Sequence, residues 1–245
     1  MWLHMTINPN SKVISSVRLF RTSPHPCSYK ENHRASTVFV DPDLVIDKSL
    51  NSKLSDLGYR RSGAHLYRPD CDFCSACISC RIPIDQFAFN RSQRKIWNNN
   101  KDLQVIERND LTCEESFLLY ERYINTRHAD GDMYPATPEQ FEAFIKTKTV
   151  DTRFFMFYHK DRLIAVSVTD ILDHGLSAVY TFFDPAESKR SLGIHSILHQ
   201  INIADVLKLP HVFLGYWIKN CQKMEYKSKF RPLEMLIDGD WILVK

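Results

Sequence analysis

Apolar residues change their spacing twice toward the end of the chain, between residues 180 and 241. YTFFDP reads as the end of a strand, SLGIHSILHQINIADVLKL has helical spacing, and VFLGYWI is again strand-like. The turn before the helix contains Gly193. This order predicts a βαβ unit with two parallel strands. The helix N-terminus then lies beside the strand ends, a position that suits anion binding.

The first half of the chain has shorter and less regular patterns. Apolar residues at helical spacing stop at Gly58, which is a good residue to follow a helix end. A basic segment around Trp97 also has helical spacing, and either contacts phosphates and bases or is a solvated helix face. The patterns predict strands at 13–20, 38–40, 59–67 and 103–107, helices at 44–57 and 90–102, and a loop at 22–37.

A regular set of elements follows residue 110. Thr137, Pro138 and Gln140 form a capping box with proline at the first helical position, which marks a helix start. Short polar connections separate three apolar segments, as in β-hairpins. The patterns predict helices at 112–124 and 138–146, a polar loop at 127–135, and strands at 153–159, 163–172 and 175–184.

Together these elements predict an α+β protein of two domains. Residues 1–109 form a mixed N-terminal domain with a cysteine-rich loop. Residues 110–245 have the order helix, helix, antiparallel strands, strand, helix, strand, which is that of an acetyltransferase-like (GNAT-like) domain with a central, largely antiparallel sheet. The turn Arg190-Ser-Leu-Gly-Ile-His195 keeps only part of the coenzyme-A-binding pattern of such domains. The acyl donor therefore need not be coenzyme A.

Composition narrows the class of protein. The chain has 245 residues, is 44% hydrophobic and carries a net charge of +3, which is too weak for a nucleic-acid coat but allows a local basic cleft. Neither an apolar run near 18 residues nor a leader sequence is seen. We expect a cytoplasmic monomer without membrane contact.

Four cysteines lie in one segment at the spacing C-x2-C-x2-C-x2-C, from Cys71 to Cys80. Zinc sites usually combine two separated pairs, whereas iron–sulfur loops take three closely spaced ligands and a remote fourth. We expect an iron–sulfur cluster or zinc here; the alternative is a tight loop over small buried thiols. The predicted ligands are Cys27, Cys71, Cys74 and Cys77.

Several motifs, spread over nearly the whole chain, carry a family resemblance. They are HPCSY, YRRSGAHLYRPDCDFCSAC with CRIP, RHADGDMYP, YTFFDP with RSLGIHSI, and LGYWIKNCQKMEYKSKFRPLE followed by DGDW. The chain resembles the arginyl-tRNA-protein transferase family, and most of all its bacterial branch, the aspartate/glutamate leucyltransferases. Lys30 stands where the eukaryotic arginyl branch has a second cysteine, which favours the bacterial branch.

The resemblance implies an enzyme that transfers leucine from leucyl-tRNA to the N-terminal Asp or Glu of proteins. The product carries an N-end-rule degradation signal. Arginyl transfer to the same acceptors is the alternative within the family. Outside it, two alternatives stay open: a coenzyme-A-dependent acetyltransferase, and a non-catalytic metal-binding module that recognises N-termini or RNA.

The chemistry of this transfer indicates which catalytic groups to seek. The tRNA ester is already activated, so the enzyme must position ester and amine, remove a proton from the ammonium and stabilise an oxyanion. No cofactor is required. Tyr216 is the candidate for the oxyanion or a proton relay, Tyr226 is the second choice, and Asp184 is a candidate to orient or accept a proton.

Binding of an acidic N-terminal residue requires fixed positive charge. Arg81, Lys223 and Lys227 are candidates for the acidic side chain or the tRNA phosphates. Arg190, at the predicted helix turn, is a candidate for the terminal tRNA phosphates. In a helical segment, Lys223, Tyr226 and Lys227 would share one face.

Overall fold

The computed structural model describes residues 2–7, 15–131, 133–146 and 150–244. The first two residues of the strand predicted at 13–20 lie outside these ranges. The strands are β1 (Trp2–Ile7), β2 (Ser15–Arg21), β3 (His25–Pro26), β4 (Arg34–Ala35), β5 (Thr37–Val40), β6 (Arg60–Ser62), β7 (His65–Pro69), β8 (Ile78–Pro83), β9 (Leu103–Arg108), β10 (Thr152–His159), β11 (Arg162–Ile171), β12 (Gly175–Phe183), β13 (His211–Trp217), β14 (Leu233–Ile237) and β15 (Asp240–Val244).

The helices lie mostly in the second half of the chain. The α-helices are α1 (Lys48–Asp56), α2 (Arg91–Asn99), α3 (Glu114–Arg127), α4 (Pro138–Gln140) and α5 (Leu192–Val206). A π-helix, Phe141–Lys146, continues α4. Three 3-10 helices complete the set, at Ile84–Gln86, Pro185–Arg190 and Gln222–Lys229.

Two sheets organise the molecule. The larger has eight strands in the order β15-β14-β8-β13-β12-β11-β10-β9 and is antiparallel except between β12 and β13. The smaller has the order β1-β2-β5-β7-β6. Strands β8 and β9 precede residue 110, so the large sheet spans the division predicted between 109 and 110, which stays a prediction. The expected mixed architecture with a large, mostly antiparallel sheet is confirmed.

The predicted βαβ unit is present as β12, α5 and β13. The two strands are parallel and pair only at 175–177 with 211–213, after which no pairs join them. Helix α5 packs on both strands, with Ile197, Leu198 and Ile201 in an apolar core that also contains Val212 and Leu214. A second core lies between α3 and the strands β10 to β12.

Three local predictions need correction. The segment predicted as one strand at 59–67 is the hairpin β6–β7, because Gly63 turns the chain with φ +56. The helix at 138–146 starts as predicted, with the Thr137 side chain accepting from the Gln140 amide, but changes to π geometry at Phe141. The loop at 22–37 contains the two-residue strands β3 and β4. Among the described residues, no helix is both long and apolar enough for a membrane span.

Candidate active site

The side chain of Arg60 fills the gap where β12 and β13 separate. Its Nη2 donates to the carbonyl oxygens of Ala178 at 3.0 Å and Val179 at 3.1 Å. Its Nη1 donates to the carbonyl of Leu214, on the other strand, at 3.4 Å. These carbonyls lie where the two strands diverge, and they hold the guanidinium in place.

Gly215 makes room for this guanidinium. It has φ +73, in the left-handed region, and lies at an irregularity in the pairing of β13 with β8. A β-carbon added at Gly215 would lie 1.7 Å from Arg60 Nη1, so the guanidinium would have to leave this place. The glycine therefore suits the left-handed backbone and lets the guanidinium stay between the two strands.

Lys227 is the second cation of this site. It is 4% exposed, and its Nζ donates to the carbonyl oxygen of Tyr216. Burial, together with the nearby positive charge of Arg60, lowers the pKa of Lys227 to about 7. Cys80 lies close to both cations, donates to the Gly215 carbonyl at 3.1 Å, and has its pKa raised by burial to about 11. In the part of the chain that the structure describes, no carboxylate pairs with Arg60 or Lys227.

Aromatic side chains surround the two cations. Tyr226 is 36% exposed at the mouth of the site, and burial of its hydroxyl raises the pKa to about 12. The Nζ of Lys227 lies 5.8 Å from the Tyr226 ring centre. Tyr123 and Tyr180 continue this wall toward α3, and the buried hydroxyl of Tyr180 has no hydrogen-bond partner among the described residues. The site therefore combines uncompensated positive charge with aromatic walls.

Tyr216 braces this site from behind. Its single hydroxyl proton is shared between the carbonyl oxygens of Gly58 at 2.8 Å and Tyr67 at 3.1 Å, and burial raises its pKa well above the ordinary value. These bonds attach β13 to the smaller sheet. The catalytic role predicted for Tyr216 stays a prediction, and its observed contacts are those of a supporting residue.

Arg81 lies in a separate charged cluster. It forms ion pairs with Asp56 at 3.0 Å and Glu234 at 2.6 Å, and its guanidinium lies 4.2 Å from the Trp241 ring centre. The side chain is 12% exposed, so both its charge and its planar face are already used within the fold. Its predicted part in substrate binding stays untested.

Asp184 and Arg190 lie near the two ends of the β12–α5 connection, and each forms ion pairs. The Asp184 carboxylate is 2% exposed and accepts from Arg122 at 3.1 Å and Arg162 at 2.6 Å. Arg190 donates through two nitrogens to Asp102, at 2.9 and 2.8 Å. Both residues thus stabilise the turn; their predicted substrate roles stay predictions.

Lys223, Tyr226 and Lys227 do not share one helix face as predicted, because the segment is not an α-helix. The segment is a 3-10 helix, so residues four apart do not align as they do in an α-helix. Lys227 points inward, whereas Lys223 is exposed and pairs with Asp130 at 3.0 Å. Of the predicted site residues, the structure brings together Tyr216, Tyr226 and Lys227.

All seven cysteines of the chain are free thiols. Burial raises the pKa of Cys77 to about 11, and Cys71, Cys27 and Cys74 lie close enough to raise it too. Cys71 Sγ, however, points to the Ser36 carbonyl at 3.8 Å. Among the described residues, no group of three or more His, Cys, Asp or Glu side chains is arranged to hold a metal ion. The thiols as placed do not fit a closed metal site, and the predicted metal stays a prediction.

Arg60 is the residue that sequence reasoning missed. It lies in the segment YRRSGAHLY, where two adjacent arginines interrupt an apolar alternation. Adjacent residues of a strand point to opposite faces, so two adjacent arginines in a short strand indicate one charge on each side. This signal was present in the sequence, but the site it serves comes from residues more than a hundred positions away.

Comparison with known proteins covers both halves of the chain. The family pattern described as "Arginine-tRNA-protein transferase, N terminus" matches residues 25–95, and the one described as "Arginine-tRNA-protein transferase, C terminus" matches residues 115–237. The N-terminal match includes Arg60, and the C-terminal match includes Gly215 and Lys227.

Curated relatives align over nearly the full length. A protein of Teredinibacter turnerae is 50% identical over 94% of this chain and 95% of its own, and one of Alcanivorax borkumensis is 50% identical over 93% and 94%. Both are named aspartate/glutamate leucyltransferase. Among solved structures, the crystal structure of FemX is similar with a TM-score of 0.53 and 8% identity, over 96% of this chain and 86% of FemX. This last likeness concerns the fold alone.

Proposed function

The chain belongs to the arginine-tRNA-protein transferase family, and we propose that it transfers leucine from leucyl-tRNA to the N-terminal Asp or Glu of proteins. The observation that carries the proposal is the pair of cations at the gap between β12 and β13. Arg60 and Lys227 lie near each other without a carboxylate from the described residues. Two such charges are costly together in a folded protein, which is why the pKa of Lys227 falls to about 7, and a bound carboxylate would offset this cost.

An acidic side chain fits these two cations. The Arg60 guanidinium is fixed by three carbonyls, so its orientation is set before a ligand arrives. A carboxylate that reaches it gains charge-assisted hydrogen bonds without ordering the arginine. Lys227 adds charge, and Tyr226 at the mouth covers the ligand. This subsite would accept Asp or Glu and bind Ala or Leu poorly, because an apolar side chain leaves the cations buried and unpaired.

The transfer itself needs no covalent enzyme intermediate. The α-amine of the acceptor attacks the ester carbonyl, a C–N bond forms, and the ester C–O bond breaks to release the tRNA hydroxyl. The proton lost by the amine balances the proton gained by that hydroxyl. The enzyme's contribution is to hold amine and ester in contact. Tyr226, with its hydroxyl beside Arg60, is the candidate to stabilise the oxyanion.

The leucyl side chain is proposed to lie on the aromatic wall beside α3. Tyr123 and Phe183 pack with their ring centres 5.0 Å apart. The Arg127 guanidinium lies 5.3 Å from the Phe183 ring centre, so a positive charge already occupies this wall. An arginyl donor would bring a second one, and like charges repel. This contact favours leucine over arginine as the donor residue.

The finer division of the fold is also part of this proposal. Residues 110–245 are assigned to the acetyltransferase-like unit, whose parallel strands separate at the reactive end, and the N-terminal region supplies Arg60 and the strands β8 and β9 to it. The cysteine segment lies next to the active site through Cys80. A metal or cluster held by Cys27, Cys71, Cys74 and Cys77 is proposed only as a structural addition, and no step of the transfer depends on it.

The test uses the purified chain with labelled leucyl-tRNA or arginyl-tRNA, and peptides that start with Asp or Ala. We expect leucine on the Asp peptide and none on the Ala peptide. Transfer of arginine to the Asp peptide would agree with the family assignment but would show that arginyl-tRNA, and not leucyl-tRNA, is the donor. No transfer from either tRNA would overturn the proposal. A thermal shift with coenzyme A, and not with tRNA, would then indicate an acetyltransferase.

A further inference from the structure

Helix α2 carries positive charge that no carboxylate of the described residues neutralises, although Arg94 donates to the Phe89 carbonyl. Its exposed residues Arg91, Arg94 and Lys95 are spaced i, i+3 and i+4, so they lie along one face. The opposite face, with Gln93 and Trp97, packs on the protein; the Trp97 ring centre lies 5.5 Å from that of His195. Amphipathic packing therefore explains one face of α2 and leaves the basic face unexplained.

The position of these charges works against the helix. Arg91 is the first residue of α2, and the first turn has no acidic residue. The helix dipole favours negative charge there and disfavours a cation. Moreover, no Asp or Glu occurs anywhere from residue 86 to residue 101. Helix stability alone would select a different sequence.

A second basic segment lies directly beside α2. The Gln93 side chain donates to the carbonyl of Lys229 at 3.2 Å, which joins α2 to the end of the 3-10 helix 222–229. Lys229 and Arg231 are exposed, and no acidic residue occurs from 226 to 233. Among the described residues, no carboxylate pairs with Arg91, Lys95 or Lys229. We define the basic face as Arg91, Arg94, Lys95, Lys229 and Arg231.

The basic face is continuous with the active site. Lys227 is buried in the site, and Lys229, two residues later on the same short helix, is outside it. A 3-10 helix rises about 2 Å per residue and has three residues per turn, so about 4 Å along the helix axis, less than one turn, separates the site from the face. A ligand whose reactive end lies in the site and whose body is polyanionic would cross this face.

We propose that the basic face binds the phosphate backbone of the tRNA acceptor arm, while the aminoacylated 3′ end enters the site beside Lys227. This inference rests on the proposed transferase function. A row of cations along a helix suits regularly spaced phosphates, which supply affinity without reading sequence. An acidic protein surface is the competing ligand, and the experiment below separates the two.

The test measures binding of deacylated tRNA at several salt concentrations. Arg91→Ala/Lys95→Ala removes two charges from the face, and Lys48→Ala/Lys53→Ala removes two from α1 as the matched control. Each lost phosphate contact lowers the slope of log affinity against log salt by about 0.7 to 0.9. We therefore expect the first variant to bind at least about tenfold more weakly at low salt, with a slope smaller by about 1.5. The control should match the wild type.

Three results would overturn the proposal that the basic face binds tRNA. They are unchanged tRNA affinity and slope in Arg91→Ala/Lys95→Ala, an equal loss in the control, or a loss of affinity for Asp-initiated peptide instead of tRNA. All these residues are exposed or on helix surfaces, and equal melting temperatures would show that the variants fold. If the wild type transfers leucine and Arg91→Ala/Lys95→Ala has the same KM for tRNA, the proposed basic face is rejected and the proposed function is kept. Wild-type protein without any transfer would reject the function.

Discussion

Arg60 and Arg61 are neighbours in β6, yet the protein uses their charges differently. Arg61 is 1% exposed and donates to both oxygens of Asp170, at 2.8 and 2.9 Å. Thr152 donates to the same carboxylate at 2.7 Å. Arg60 points to the other side, where it meets only carbonyl oxygens in the gap between β12 and β13.

The difference teaches how a buried charge becomes available to a ligand. The charge of Arg61 is neutralised inside the fold, so this arginine joins the smaller sheet to the large one. The guanidinium of Arg60 is oriented by neutral carbonyls, which fix its geometry but leave its charge. One strand therefore supplies a structural cation and a binding cation, because consecutive side chains alternate in direction.

The largest effect is expected from removing the carboxylate that neutralises Arg61. Asp170→Asn leaves the Arg61 charge buried and unpaired, and removing one partner of a buried ion pair costs about 3 to 5 kcal/mol. We expect the free energy of unfolding in urea to fall by that amount. Asp173→Asn, at an exposed position nearby, is the control and should change little. A loss below about 1 kcal/mol for Asp170→Asn would contradict the structural role of Arg61.

The second effect comes from a substitution at Gly215 that moves the Arg60 guanidinium without changing Arg60 itself. Gly215→Ala places a β-carbon 1.7 Å from Arg60 Nη1, so the guanidinium must move. We expect transfer to Asp-initiated peptide to fall about 100-fold, the usual result of misplacing a binding group by about 1 Å. Gly239→Ala is the matched control, because Gly239 also has positive φ but nothing lies within 4 Å of its added carbon.

Both glycine variants carry the cost of a left-handed backbone, about 1 to 2 kcal/mol. The control should therefore lose stability and keep its activity. Equal losses of activity in both variants would mean that strain, and not the position of Arg60, explains the result.

The third effect comes from a substitution that keeps the positive charge of Arg60 but removes its planar guanidinium group. Arg60→Lys loses the planar geometry that the three carbonyls hold. A hydrogen bond to a charged group contributes about 1.5 to 3 kcal/mol, so kcat/KM for Asp-initiated peptide should fall by about 10-fold to 100-fold. Lys48→Ala, at an exposed position of α1, is the control variant and should keep the wild-type kcat/KM. An unchanged kcat/KM for Asp-initiated peptide in Arg60→Lys would remove Arg60 from the acidic subsite.

The smallest effect concerns the protonation of Lys227. Its pKa is lowered to about 7 by burial, and a bound carboxylate should raise it again. Lys227 is charged below this pKa and neutral above it, so affinity for an acidic peptide should weaken as pH rises through 7 toward 9. A rise of one pKa unit on binding corresponds to about a tenfold loss.

Calorimetric Kd values for an unreactive Asp-initiated peptide would measure this dependence. Lys227→Met has no titrating group at residue 227. Its Kd should therefore change with pH only through the titrating groups of the peptide. Identical profiles for wild type and Lys227→Met would show that Lys227 does not contact the ligand.

How much the sequence could predict depended on the range of the interactions. Helix α3, the cap at Thr137 and the unit β12–α5–β13 follow from local spacing, and the structure confirms them. The inward position of Lys227 could not be read from KMEYKSK, because an α-helical and a 3-10 segment of this composition look alike. Burial of that lysine is decided by β13, to which it bonds.

The sequence identified Tyr216, Tyr226 and Lys227 but missed Arg60, for a related reason. Arg60 bonds Val179 and Leu214, 119 and 154 positions away, and Arg81 bonds Glu234, 153 positions away. A polar residue chosen by its local motif, such as Arg81 or Asp184, can equally be held in an ion pair. Only tertiary contacts separate a cation that is neutralised from one that is left for a ligand.

The place of β8 in the large sheet has a consequence for synthesis of the chain. This early segment lies between β13 and β14, both of which leave the ribosome much later. Until they arrive, β8 keeps unpaired backbone groups on both sides, and such edges invite aggregation. A fragment that starts at residue 110 would lack the strand between β13 and β14 altogether. The nascent protein must therefore wait for its last residues before its largest sheet can close, so a chaperone that shields β8 would raise the yield of folded enzyme.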